Sequence, residues 1–249
     1  MFCALNRVEK IMENIENLPR HVAIIPDGNR RWARNRTLSA WIGHERGSES
    51  LESLMEVFVN MGVPYFSFWG SSKDNIAKRP KEEVKHLLKI FKEEFAKLAK
   101  SKGVHDNEIK INIIGSWREQ FPEDVKASME NAIAVTKNYS KYFYNFFIAY
   151  NGIDEMMDAT RSIAELKAKN PDLVIDETLF KSQLLTKDLP QVDLLIRTGG
   201  EPHNSGGFMM WDVANSQLFF SNKLWPDFSN EDLKGAIIEY THRERRMGK

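Results

Sequence analysis

The 249-residue chain has a single cysteine and no net charge, and both features narrow its possible functions. Cys3 cannot form a disulfide within the chain, which is typical of a reducing compartment, so we expect a cytoplasmic protein. Lys plus Arg and Asp plus Glu each total 35, so the overall charge gives no reason to expect a nucleic-acid partner. Any anion binding must therefore depend on local clusters of cationic side chains.

Long apolar runs, internal repeats and several common motifs are also missing. No run approaches the roughly 18 apolar residues of a membrane span, and the charged segment 1–20 predicts an amphipathic helix rather than a signal peptide. The P-loop pattern, the Gly-x-Gly-x-x-Gly dinucleotide pattern and zinc spacing of Cys and His are absent. Because no Gly/Ser linker appears either, we predict a single domain over residues 1–249.

What the sequence does contain is a regular alternation of short apolar runs and longer helical patterns. The predicted strands are HVAIIP, YFSFWGS, IKINIIG, YNFFIAY, VDLLIRT and QLFFSN. Among the segments between them, KEEVKHLLKIFKEEFAKLAKSKG has apolar residues at helical spacing. This alternation predicts an α/β fold, with a mostly parallel central sheet of about six strands and helices on both faces. In such sheets ligands bind beyond the carboxyl ends of the strands.

The loop after the first predicted strand, in HVAIIPDGNRRWARN, combines an acid, a turn and clustered arginines. Gly28 permits close approach to a ligand, and a helix beginning near Arg30 would favour an anion at its start. Arg is well suited to phosphate oxygens, but Asp27 would repel them unless a cation such as Mg²⁺ bridges the two. The alternative is an ordinary Asp-Gly turn in which Asn29 caps a helix.

Two other strand ends carry similar groups. Ser72, Asn75 and Arg79 follow the second predicted strand, and Arg197, His203 and Ser205 follow the fifth. His44 precedes a predicted helix and could also face the anion site. Because carboxyl ends of parallel strands share one edge, the three loops favour a site for two phosphate groups over three unrelated turns.

Several motifs in order resemble the cis-prenyltransferase family, the undecaprenyl diphosphate synthase-like enzymes. IIPDGNRRWA resembles the family's Asp-Gly-Asn-x-Arg-Trp signature, and GHERG resembles its Gly-His-x-x-Gly. KRPKEEV, DLLIRTGGE, LWPDF and RERRMG resemble its later blocks, so the resemblance covers nearly the whole chain. It implies a homodimeric enzyme that uses Mg²⁺ to condense an allylic prenyl diphosphate with isopentenyl diphosphate, giving a longer (Z)-polyprenyl diphosphate.

The resemblance also implies roles for individual residues. Asp27 would carry Mg²⁺, and Ser72 and Asn75 would assist proton removal near the reacting carbons. The remaining implied positions all bind substrate. For the allylic diphosphate they are Gly28, Asn29, Arg30, Arg31, Trp32, His44 and Arg79; for the acceptor diphosphate they are Arg197, His203 and Ser205; and Arg246 and Gly248 belong to a tail that reaches the partner's site. The lipid product implies peripheral membrane contact.

A carbocation-like reaction needs a dry apolar tunnel, because water would quench the positive charge on carbon. The candidate lining side chains are apolar residues of the predicted helices and the fourth strand: Leu54, Met55, Phe58, Phe91, Phe95, Phe146 and Ile148. Any one of them could instead be ordinary core.

The chain departs from the family pattern mainly on the acceptor side. His203 or Asn204 stands where a second Arg is usual, with one extra residue, and Gln217 stands where a Glu helps to bind metal. Ala40, Ile76 and Ile153 are further departures.

Three interpretations stay open. In the first, this is a chain-elongating enzyme in which His203 and Lys223 compensate for the missing groups. In the second, the acceptor is a second allylic diphosphate, coupled in a non-head-to-tail manner, or an alcohol. The third, a non-catalytic partner subunit, is disfavoured because such relatives typically lose the acid and arginines that this chain keeps.

Overall fold

The computed structural model describes residues 17–243 as an α/β protein built on one parallel sheet. The six strands are β1 His21–Ile25, β2 Tyr65–Trp69, β3 Ile109–Ile114, β4 Tyr142–Phe147, β5 Leu194–Arg197 and β6 Gln217–Phe220. They lie in the order β3-β4-β2-β1-β5-β6, and each neighbouring pair is parallel. All six predicted strands are confirmed, and the sheet is wholly rather than mostly parallel.

The helices of the described residues connect these strands. They are α1 Asn29–Asn35, α2 Ala40–Met61, α3 Lys73–Lys78, α4 Lys81–Leu98, α5 Lys102–Asp106, α6 Trp117–Gln120, α7 Glu123–Thr136, α8 Gly152–Lys169, α9 Glu177–Ser182 and α10 Asn230–His242, with a 3₁₀ turn at Trp225–Asp227. The long helices agree with the helical patterns of the sequence. The short helices α3, α5 and α6 were not predicted, because each is too brief to show a period.

The larger core lies on one face of the sheet. Helix α4 buries Leu87, Phe91 and Phe95 against it, which is the stripe that the sequence period predicts. Helices α2, α7 and α10 add side chains to the same cluster, and β3 contributes the alternate residues of its Ile-x-Ile-x-Ile pattern. This face therefore holds most of the apolar residues that could form a tunnel.

The second face carries a smaller core with a buried polar network. His21 Nδ1 lies 2.9 Å from the Pro190 carbonyl oxygen, and a carbonyl only accepts, so Nδ1 carries the proton. Nε2 can then accept from the Ser67 hydroxyl at 2.8 Å, and Asn145 donates to the same hydroxyl at 3.2 Å. Nearby, Glu155 of α8 accepts from the Thr186 amide, which fastens α8 to the chain that precedes β5. The network joins β1, β2 and β4 to that segment.

Because the strands are parallel, the loops after β1, β2 and β5 meet at one edge, as the sequence predicts. The helix expected at residues 1–20 falls mostly outside the described residues, and so do Arg246 and Gly248. None of the described helices combines the length and apolar character needed to cross a bilayer.

Candidate active site

The loop after β1 is shaped by Gly28. Its φ of +118° lies in the left-handed region, and a Cβ there would come within 2.9 Å of Leu224. Helix α1 begins at the next residue, and no side chain caps its amino end. Asn29 is therefore the first helical residue and not the cap that the simple-turn alternative requires.

Asp27 lies between two arginines. Arg197 Nη2 donates to Asp27 Oδ2 at 2.9 Å, and Arg31 Nη2 lies 3.2 Å from Oδ1. The Thr198 hydroxyl donates to the Asp27 carbonyl at 2.8 Å, which ties the β1 loop to the β5 loop. Arg197 is 5% exposed and also donates to the His203 carbonyl. The structure thus joins the candidate donor and acceptor loops through one carboxylate.

A polar cavity of about 860 Å³ opens beside this loop. Its lining includes seven of the predicted site residues: Asp27, Gly28, Asn29, Arg30, Arg31, His44 and Arg79. Arg34, one of the clustered arginines in HVAIIPDGNRRWARN, lines it too. The cavity therefore has several cationic side chains and one carboxylate among its described lining residues, a composition suited to a diphosphate.

An apolar cavity of about 520 Å³ adjoins the polar one, and the two share Pro26, Asn29 and His44. Five of the tunnel candidates line it: Met55, Phe91, Phe95, Phe146 and Ile148. Leu54 and Phe58 do not, because both are fully buried in the core of the first face. The lining extends from Ile148, just past the end of β4, to Ile109 at the start of β3, so the cavity runs along the sheet from its carboxyl edge.

One residue of this region was missed by the sequence reading. Glu83, in the first turn of α4, is 4% exposed, and its Oε1 lies 3.1 Å from His44 Nε2, 3.3 Å from Arg79 Nη1 and 3.6 Å from Arg30 Nε. The hydrogen bond from His44, with the charges of Arg79 and Arg30, holds the pKa of Glu83 below its usual value. Burial lowers the pKa of His44. Glu83 is the second glutamate of KRPKEEV, but its role could not be inferred from that motif, because acids are common in the first turn of a helix.

Ser72 and Asn75 lie at the start of α3 and bond to each other. The Ser72 hydroxyl accepts from the Asn75 amide at 3.0 Å, and Asn75 Oδ1 accepts from the Ser72 amide at 3.4 Å. This capping box stabilises the helix start. It leaves the Asn75 side-chain amide group and the Ser72 hydroxyl proton without a partner in the box, so both could still face a ligand.

Trp32, expected to bind substrate, and Lys223, expected to compensate for a missing cation, both have other partners in the structure. Trp32 lines neither cavity; its indole donates to Asp227 at 2.7 Å, and Arg36 lies over its ring. It therefore fastens α1 to the 3₁₀ turn. Lys223, the expected substitute for a missing cation, is paired with Asp232 at 2.7 Å. His203 is exposed and Ser205 is half-buried, both in the loop that follows Arg197.

Gln217 is not brought to the Asp27 loop. It is the first residue of β6 and pairs with Leu194, whereas Arg197 at the site pairs with Phe220. Three strand residues separate the two positions, which is about 10 Å along the sheet. Within the described chain, Gln217 cannot share a metal with Asp27.

The metal ligands that this site offers fit Mg²⁺ only when substrate phosphates are counted with Asp27. No group of three His, Cys, Asp or Glu side chains within residues 17–243 could hold a metal ion by itself. Mg²⁺, however, usually binds through one or two carboxylates plus substrate phosphates. Asp27 beside an arginine-lined cavity meets that requirement when a diphosphate is present.

Comparison with known proteins agrees with this architecture. A family model for undecaprenyl diphosphate synthase matches residues 25–248. The chain is 38% identical over 97% of its length to the tritrans,polycis-undecaprenyl-diphosphate synthase (geranylgeranyl-diphosphate specific) of Pyrococcus horikoshii, covering 90% of that protein. It is 37% identical to the isoprenyl transferase of Chlorobaculum tepidum, covering 98% of this chain and 91% of that one.

A solved structure gives the same result. Lavandulyl diphosphate synthase from Lavandula x intermedia, in complex with dimethylallyl diphosphate, superposes with a TM-score of 0.84 at 29% identity. The match covers 93% of this chain and 99% of that one. With the family model and the curated relatives, it shows that this chain belongs to the undecaprenyl diphosphate synthase family of cis-prenyltransferases.

Proposed function

We propose that this protein condenses an allylic prenyl diphosphate with isopentenyl diphosphate to form a longer (Z)-polyprenyl diphosphate. The observation that carries the proposal is the junction of the polar and apolar cavities at Pro26, Asn29 and His44. An allylic diphosphate has a charged head and an apolar tail. At this junction the head would lie in the polar cavity and the tail in the apolar one. The family membership agrees with this substrate chemistry.

The apolar cavity, of about 520 Å³, suits the tail of the donor, which is a chain of five-carbon isoprene units. The Pyrococcus horikoshii relative is named as specific for geranylgeranyl diphosphate, a donor of four such units. We take geranylgeranyl diphosphate as the first donor to test.

In the reaction, the allylic C–O bond breaks while the acceptor double bond attacks the allylic carbon. Negative charge grows on the leaving diphosphate, and Arg30, Arg31 and Arg79 would stabilise it from the polar cavity. Mg²⁺ held by Asp27 and the diphosphate would supply further positive charge there. The apolar lining would keep water from the developing positive charge on carbon.

The acceptor would lie on the β5 side of Asp27, where Arg197, His203 and Ser205 would hold its diphosphate. Loss of a proton from the acceptor, taken up by the released diphosphate, would complete the new double bond. The free hydrogen-bond donors of Ser72 and Asn75 would assist by orienting that diphosphate. Gly28 and Asn29 would contact the donor diphosphate through the loop. The ion pair between Arg197 and Asp27 supports this arrangement, because it couples the two diphosphate positions.

The assembly and location also remain proposals. A homodimer is supported by exposed apolar side chains next to the acceptor loop: Ile153, Met157 and Met210 are 57%, 47% and 41% exposed. Arg246 and Gly248 would reach the neighbouring site. We place the enzyme in the cytoplasm, with membrane contact through its lipid product.

The test is to incubate the purified chain with labelled geranylgeranyl, farnesyl and dimethylallyl diphosphates, with and without isopentenyl diphosphate and Mg²⁺. Products that grow by five carbons only when isopentenyl diphosphate is present are the expected result. Coupling of two allylic diphosphates without it would favour the non-head-to-tail alternative. A purified chain inactive under every combination would favour the non-catalytic partner subunit.

A further inference from the structure

Glu83 is a buried acid that lies behind the polar cavity without lining it. Its side chain is 5% exposed, and one oxygen faces His44, Arg79 and Arg30 at 3.1, 3.3 and 3.6 Å. Those three side chains line the polar cavity, whereas Glu83 lines neither cavity. Any influence of Glu83 on a ligand must therefore pass through these three neighbours, two arginines and a histidine.

The position of Glu83 in its helix does not explain its burial. An acid in the first turn of a helix interacts well with the helix dipole while exposed, and Glu82 does so one residue earlier. Burying a carboxylate is costly unless it is paired and hydrogen-bonded. Here that cost is offset by two arginines and a histidine from three separate elements: Arg30 of α1, Arg79 just after α3, and His44 of α2.

Glu83 and Arg79 meet the same nitrogen of His44. Nε2 lies 3.1 Å from Glu83 Oε1 and 3.1 Å from Arg79 Nη1, so it donates to the carboxylate in one tautomer and accepts from the guanidinium in the other. In both tautomers the Glu83 carboxylate lies 3.3 Å from Arg79 Nη1. Without that carboxylate, the 16% exposed Arg79 side chain would have an unpaired charge.

We propose that Glu83 is a positioning residue for the donor diphosphate. It holds Arg79 and His44, and to a lesser degree Arg30, in the orientation that faces the polar cavity before the ligand arrives. The inference rests on the proposed function, because it takes the ligand of this cavity to be the diphosphate of the allylic donor. Cations fixed in advance need no rearrangement when the ligand binds, so the benefit falls on donor binding.

The experiment compares Glu83→Gln with Glu82→Gln, a matched change on the exposed neighbour. Loss of one charge-assisted hydrogen bond weakens binding by about 10- to 100-fold. We therefore expect the KM for the allylic donor to rise by that factor in Glu83→Gln. The acceptor KM stays within about twofold, and Glu82→Gln matches the wild type. Calorimetric titration with inorganic pyrophosphate and Mg²⁺ should show the same loss of affinity without turnover.

A purely structural role gives a different pattern. Partial unfolding lowers the apparent kcat through the active fraction but leaves the KM for donor unchanged, and that result overturns the proposal. If Glu83→Gln does not fold, Glu83→Asp replaces it, since the charge remains but is withdrawn by one methylene. A donor KM and pyrophosphate affinity equal to those of the wild type in Glu83→Asp would then overturn it. Failure of the wild type to use any donor would reject the proposed function instead.

Discussion

Asp27 is an acid whose charge two arginines already balance. Arg197 and Arg31 each contact one of its oxygens, so a metal ion would have to share the carboxylate with them. The arginines are also the groups that a diphosphate would attract. Binding of a diphosphate with Mg²⁺ would therefore exchange partners within this cluster, with no further charged side chain from the protein.

Replacing this acid tests its proposed role with metal. Asp27→Asn keeps an oxygen acceptor for Arg197, so we expect a small change in melting temperature. Loss of transition-state stabilisation of about 3 kcal/mol would lower kcat about a hundredfold. The measurement is turnover at saturating substrates over a Mg²⁺ titration, with exposed Asp172→Asn as the control. Near wild-type rates at saturation would remove Asp27 from the metal site.

His21 gives a prediction about acid stability. Burial lowers its pKa from 6.5 to about 4, with smaller opposed effects from Asp193 and Lys181. Between these values the unfolded chain binds a proton and the folded chain does not, so stability falls as pH drops from 6.5 to about 4. The shift corresponds to about 3 kcal/mol.

Urea unfolding of wild type and His21→Gln across this pH range measures the effect. The wild type should lose stability more steeply toward acid than the variant, which has no titrating group there. The buried acids Glu155 and Asp212 have raised pKa values through burial and act in the opposite direction, but they do so in both proteins. Parallel pH profiles would show that the His21 proton does not contribute.

The helices place the loops by close packing at a few glycines. Helix α2 crosses α1 at Gly43, where a Cβ would lie 2.1 Å from the Asn29 carbonyl oxygen. Gly47, one turn later, faces the Asn29 side chain, and its Cβ would lie 2.3 Å from Oδ1. This contact brings His44, which lies between the two glycines, against the junction of the cavities. The GHERG motif thus positions α1 as well as supplying a histidine.

Helix α5 lies at the other end of the apolar cavity and predicts an effect on product length. Gly103 lines the cavity, and a Cβ there would meet only Ser101 Oγ, at 3.7 Å. Gly103→Trp should fill this end, so we expect shorter products with the initial donor still accepted. Chromatography of labelled products checks this, with Gly103→Ala as the control that keeps wild-type length. An unchanged product distribution in Gly103→Trp would mean that the growing chain leaves the cavity elsewhere.

At the scale of the whole molecule, the polar cavity opens at one edge of the parallel sheet and the apolar cavity runs along one face. The polar cavity lies at the carboxyl edge, and the apolar cavity continues beneath helices α2 and α4. The lining of both cavities comes from described residues of this one chain. The tail of residues 244–249 is proposed to add Arg246 and Gly248 to the neighbouring site.

Assembly gives the last prediction. We expect a homodimer at micromolar concentration by sedimentation velocity. A chain truncated after Arg243 should lose much of its activity while its melting temperature changes little. The reason is that Arg246 and Gly248 are proposed to act at a site and not in the core. As a control, Lys249 alone is removed. Full activity of the truncated chain, or a monomeric wild type, would contradict the role of the tail.

The site could be predicted from the sequence where one motif indicates both the local backbone structure and the side chains that it carries. Asp27, Gly28 and the arginines follow a strand end and start a helix, so their convergence on one cavity follows from strand order. Leu54 and Phe58 could not be separated from the tunnel-lining residues, because an apolar helical stripe does not reveal which members face a void. Trp32 could not be assigned either, since its partner Asp227 lies 195 residues away.

The sequence alone determined the strands, the long helices, the family and the loops that would carry the chemistry, because those depend on local period and on contiguous motifs. Tertiary structure decided which groups act together. It joined Asp27 to Arg197 across 170 residues, gathered two arginines and a histidine around Glu83, and placed Gln217 at the opposite end of its strand from the site. The reason is that register and burial depend on contacts between distant segments, which no local pattern records.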